Sequence, residues 1–135
     1  IEGDDVVALL EVPRTYLRLQ CEHELRGKHI LLRQAMLRFH GNATRQQHAL
    51  AGAASSFATV FRTLLRLNGE TPPAETGDAI VRVAEVYGLD REALLGAHLV
   101  RTGGDAPRAQ VPAILQRFVG EVDRLITAID AQRVP

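Results

Sequence analysis

VPAILQRFVGEVDRLITAIDAQ, residues 111–132, decides the fold. Val111, Ile114, Leu115, Phe118, Val122, Leu125, Ile126 and Ile129 recur with the three-to-four-residue period that lays apolar side chains along one side of an α-helix. Polar and charged residues fill most of the positions between them. A half-buried strand would need alternation of period two, and no segment of the chain sustains it. The stripe predicts an amphipathic helix from about Arg108 to Gln132, with a core on one side and solvent on the other.

Working back from this helix, Gly103-Gly104 and Pro107 close a short helix that Asp90 caps and that runs through Arg101, carrying Leu94, Leu95, His98 and Leu99. Before it, Thr71-Pro72-Pro73 is a stop-and-restart signal, with Thr71 as the cap and proline in the first turn. The helix that follows buries Ile80, Val83, Ala84 and Tyr87, and Gly88 ends it. A longer helix is expected from a Thr44 cap to Asn68-Gly69, with Leu50, Ala53, Ala54, Phe57, Val60, Phe61, Leu64 and Leu67 on one face. Its middle, AGAASS at 51–56, is made of small side chains that permit either close helix contact or a backbone-lined groove. From Pro13 to about His40 the chain reads as another long helix, with Leu17, Cys21, Leu25, Leu32, Ala35, Met36 and Phe39 on its main apolar arc. A second strip, Leu19, Ile30 and Leu37, lies on the opposite side. The strip predicts a helix sandwiched between neighbours, or between a neighbour and a partner domain. Residues 1–12 form a short acidic, then apolar lead-in. Short connections between long helices make neighbours antiparallel, so the expected architecture is an all-α up-and-down bundle of four to five helices, three long with a shorter pair inserted.

Composition agrees. The chain has 135 residues, 46% of them hydrophobic, enough for one core and too few for two, so residues 1–135 read as a single domain. Aromatic residues are only 4%, with no Trp, and the core must come from Leu, Val, Ile and Ala. Basic and acidic residues number 16 each, which removes any global electrostatic argument for nucleic acid or an anionic membrane. All the basic residues but Lys28 are Arg, as in proteins from GC-rich bacterial genomes. One cysteine, Cys21, allows no internal disulfide, and the cytoplasm is the expected compartment. The chain opens on Ile1 instead of Met, as expected of a fragment or a processed product.

Candidate chemistry is sparse. His23, His29, His40, His48 and His98 include no pair four residues apart, and no HExxH motif occurs, so no metal site is expected. No phosphate-binding loop is present. Cys21 sits on the apolar arc and reads as a core thiol. The most informative stretch is HELRGKHILLRQAM, residues 23–36. Lys28 projects into the apolar arc with Glu24 one turn earlier on its edge. The pair reads either as a buried i, i+4 salt bridge, with Gly27 marking a close helix crossing, or as a polar patch facing a ligand or partner. Arg26 and Arg33 project from the far side. Arg33 and His40, seven residues apart, share a face near the end of the helix.

These residues resemble a known family. EVPRTYLRLQCEHELRGKHILLRQAML (11–37), GETPP (69–73) and YGLDREAL (87–94) are similar to the helical C-terminal domain of bacterial proteins whose N-terminal half is a minimal nucleotidyltransferase domain. That helical domain is similar to the substrate-binding bundle of kanamycin-type nucleotidyltransferases and, more loosely, to HEPN domains. The resemblance covers essentially the whole chain and is most specific over LRLQ…ELRGK…LRQ, residues 17–34. It implies a non-catalytic accessory role beside a nucleotidyltransferase-fold domain, in cis or in trans, in which the helical bundle helps to wall the substrate cleft and to form a homodimer, with no cofactor in this chain. Glu24, Arg26, Gly27, Lys28 and Arg33 are the matched positions that would face substrate or partner. The alternatives are a HEPN-like RNase or nucleotide-binding domain acting through Arg33 and His40, from which Gln34 departs, and a plain dimerisation bundle held by the second apolar strip.

Overall fold

The computed structural model describes residues 14–103 and 108–133. Five α-helices make up nearly all of it: α1 (Arg14–Arg38), α2 (Ala43–Leu67), α3 (Thr76–Tyr87), α4 (Arg91–Arg101) and α5 (Val111–Arg133), with a 3₁₀ turn at Arg108–Gln110 leading into α5. No strand occurs among the described residues. Three long helices and two short ones reproduce the expected all-α bundle. The lead-in, the Pro13 start of α1 and the Gly104–Pro107 break lie outside the described residues.

α2 is the central helix and packs on each of the other four. Its apolar side is broad enough for this, with Leu50, Phe57, Val60, Phe61 and Leu65 almost fully enclosed. Phe57 meets Phe118 of α5 edge to face at 5.3 Å, the favoured arrangement of aromatic rings. α5 supplies the other half of the core through Val111, Leu115, Phe118, Val122 and Leu125. The guanidinium of Arg14, at the start of α1, donates to the carbonyls of Arg66 and Leu67 at the end of α2. A cation thus meets the negative end of the α2 dipole, which fixes α1 and α2 antiparallel.

Two helix starts differ from the sequence reading. α2 begins two residues earlier than a Thr44 cap allows, because Asn42 takes the cap: its Oδ1 accepts from the Arg45 N–H at 3.1 Å. Asn is the stronger cap residue, and Thr44 falls inside the first turn. α3 begins at Thr76, with Glu75 in the cap position, and not at Thr71. Consecutive prolines explain the delay, since Pro73 holds Pro72 out of the α region. Arg62 pins the resulting loop by donating to Ala74 O and Thr76 Oγ1, both at 3.1 Å. The end of α3 follows expectation, with Gly88 in the left-handed region at φ 67° and Leu89 N–H donating to Ala84 O at 2.8 Å.

Candidate functional site

α1 carries most of the sequence-predicted site residues, and its surroundings differ on its two flanks. On the α2 flank, Lys28, Leu31, Leu32 and Ala35 face Ala49, Gly52, Ala53, Ser56 and Phe57 across an open groove of about 240 Å³. The groove follows from side-chain size: the AGAASS segment presents almost nothing beyond Cβ, so α2 cannot fill the space beside α1. At Gly52 an added Cβ would meet nothing within 4 Å. Phe57 forms the floor, Ser56 contributes a hydroxyl, and the half-buried Lys28 supplies the cation. Among the described residues Lys28 has neither a hydrogen bond nor an ion pair. A lysine at such a margin can lay its methylenes along apolar surface while its ammonium keeps to water.

The expected Glu24–Lys28 salt bridge does not form. Glu24 is exposed, Lys28 is half-buried, and the α1 core arc is centred on Cys21, Leu25 and Leu32, so the pair lies at its margin and neither charge needs an ionic partner to offset burial. Gly27 does not mark a close crossing either, because a Cβ there would meet nothing within 4 Å. The tight crossing lies instead at Gly96 of α4, where a Cβ would come 2.9 Å from Ile114 Cγ2 of α5. Arg26 sits on the opposite flank of α1 and is held by a bidentate contact to Asp130 of α5. Arg33 and His40 are both exposed, and among the described residues neither side chain makes a hydrogen bond or ion pair. Lys28 alone of the candidate residues therefore faces the groove.

Sequence reasoning missed a polar pair on the buried side of α1. Glu22 and His29 are almost fully enclosed beside Leu25 and Leu32, at spacings of three, four and three. The helical period itself was the available signal, once polar residues are counted as part of a buried stripe. Burial pushes the His29 imidazole below its ordinary pKa, against the upward pull of Asp123 and the Val119 carbonyl, and its Nε2 is enclosed without a hydrogen-bond partner. Cys21, reaching Val60 O at 3.9 Å, has its thiol pushed up to about 12 by burial and then by the charges of Glu24 and Glu22. At that value the thiolate is scarce, and Cys21 behaves as a core residue and not as a nucleophile.

Among the described residues no three or more His, Cys, Asp and Glu are placed to hold a metal ion, and no helix is long and apolar enough to cross a membrane. The arrangement around Lys28 suits binding: an apolar trough, a hydroxyl and one uncompensated cation. No known family profile, curated protein or solved structure matches the chain.

Proposed function

We propose that the chain is a non-catalytic helical accessory module that docks onto, or binds substrate for, a nucleotidyltransferase-fold domain, through the α1–α2 groove. The observation that carries this reading is Lys28, the chain's only lysine, lining that groove without an ionic partner among the described residues. An apolar group in the trough with a carboxylate or phosphate beside the ammonium would satisfy both features at once. The likeness of residues 17–34 to the helical domains paired with nucleotidyltransferases supports the choice of partner. Glu24, exposed one turn before Lys28, would border the contact, Arg26, already bound by Asp130, would hold α1 in place, and Arg33 projects from the far side of the helix.

The test is a calorimetric titration of the protein with a minimal nucleotidyltransferase-fold domain, and separately with magnesium-ATP as the substrate probe. Binding in either arm is expected to weaken by roughly tenfold or more in Lys28→Glu, which reverses the charge, and in Gly52→Leu, which fills the groove. Both positions are open enough for the variants to keep the parent's circular dichroism. Binding in neither arm, or equal binding by parent and variants, overturns the reading.

A further inference from the structure

The net charge of zero conceals a division along the chain. From Leu25 to Gly69, which takes in about half of α1 and all of α2, there is no Asp or Glu, while seven of the sixteen Lys and Arg fall there. Arg26 is taken up by Asp130, and Arg62 donates to the loop before α3. Lys28, Arg33, Arg38, Arg45 and Arg66 have no ion pair among the described residues. Three of these five stand around the groove. Lys28 lines one end of it. Arg38 follows Leu31 of the lining by seven residues and Arg45 precedes Gly52 by seven, so both fall on the groove side of their helices, where α1 turns into α2. The Arg45 guanidinium lies over the Phe39 ring, 5.5 Å from its centre, which places it beside the end of α1. Between the two cationic ends run ~15 Å of trough, with Leu31 on its lip 66% exposed.

Two cationic ends joined by an apolar trough specify the opposite pattern in whatever fills it. We infer that the groove receives an amphipathic α-helix of a partner protein, its apolar side in the trough and its carboxylates at both ends of the contact, about ten residues apart. The inference rests on the docking reading of the groove and adds the chemistry of what docks. α1 and α2 offer no strand edge, so an added β-strand has no backbone to pair with. A single nucleic-acid strand needs exposed aromatic faces for its bases and cations along its phosphates. Phe57 on the groove floor is 1% exposed, and no Lys or Arg lines the trough between its two ends. A second copy of the chain does not supply the helix either. Asp78 and Glu85 on α3, or Glu121 and Asp130 on α5, have about the required separation, but both helices bury their apolar sides in their own core, through Ile80 and Val83 and through Phe118 and Leu125. Glu24, exposed one turn beyond Lys28, limits the contact at that end, since a partner carboxylate placed further along would meet like charge.

Fluorescence anisotropy of the whole chain with a labelled synthetic helix tests the inference at physiological salt, where distant surface charges are screened. The probe is an alanine-based peptide of about sixteen residues with leucines along one side and glutamates near both ends. The same peptide with lysines in place of the glutamates, and a single-stranded RNA, serve as comparisons. The acidic helix is expected to bind, and Lys28→Glu, Arg38→Glu and Leu31→Asp are each expected to weaken it roughly tenfold or more. Arg33→Glu makes the same change of charge on the far side of α1 and is expected to leave binding unchanged. Lys28→Glu combined with Arg38→Glu is expected to bind the lysine peptide, which the parent does not. Leu31, Arg33 and Arg38 are exposed and Lys28 is half-buried, so the variants are expected to keep the parent's circular dichroism. An acidic helix left unbound, equal weakening by Arg33→Glu, or RNA bound in preference to the helix overturns the inference. Binding of the peptide by a protein that ignores the nucleotidyltransferase-fold domain would sink the choice of partner and leave the chemistry of the groove standing. A protein that binds the domain but not the peptide would sink this inference alone.

Discussion

α1 and α5 are almost equally long, 25 and 23 residues, and both lie against α2, yet they use their apolar residues differently. α5 places Val111, Leu115, Phe118, Val122 and Leu125 in the core, each essentially without solvent contact. α1 buries only Cys21, Leu25 and Leu32 as apolar residues, encloses Glu22 and His29 beside them, and leaves Tyr16, Leu19, Ile30, Leu31 and Leu37 exposed. The difference teaches that α5 is committed to the fold, whereas α1 combines a narrow core arc with two unsatisfied faces, the Lys28 groove and the outward strip of Leu19, Ile30 and Leu37. A helix need be no more amphipathic than its core contacts require, and what remains apolar outside them is available for association.

The comparison predicts the largest contrast in stability between the two helices. Phe118→Ala removes an enclosed ring that Phe57 packs against, and urea unfolding is expected to show a loss of about 3–5 kcal/mol. Ile30→Ala on α1, measured in dilute protein, is expected to change stability by less than about 0.5 kcal/mol. A matched pair of glycines gives the next contrast. Gly27→Ala adds helix propensity in open space and is expected to raise stability by up to ~1 kcal/mol. Gly96→Ala drives a methyl to within 2.9 Å of Ile114 Cγ2 and is expected to lower it despite the same propensity gain.

The smallest effect concerns pH. Unfolded, His29 titrates near 6.5, whereas burial in the fold holds it neutral to lower pH. The unfolded chain thus binds the proton first on acidification, so the contribution of neutral His29 is complete above pH 6.5 and diminishes as the pH falls below it. Thermal melts of the parent and of His29→Gln across this range are expected to diverge only on the acid side.

The period of α5 and the Gly88 terminus were legible because each rests on one local rule. Helix starts were less so, because cap residues compete: Asn42 displaced Thr44, and the paired prolines moved the start of α3 to Thr76. The site was partly legible. Lys28 was singled out by its place near the apolar arc, but its surroundings were misjudged, since a helical projection gives direction and not the size of the facing residues. The smallness of Ala49, Gly52 and Ala53 on α2 makes a groove where a salt-bridged seam was expected. Glu22 and His29 escaped notice because polar residues are by default assigned to solvent.

The measurement that bears most directly on the division of labour between α1 and α5 is the urea midpoint of the protein and of Leu31→Asp, each with and without the acidic helix. If the groove side of α1 lies outside the core and is used for association, the parent midpoint rises with the helix, and the Leu31→Asp midpoint stays at the value of the free parent. A parent midpoint independent of the helix, or a Leu31→Asp chain that unfolds at much lower urea even without it, would contradict the account.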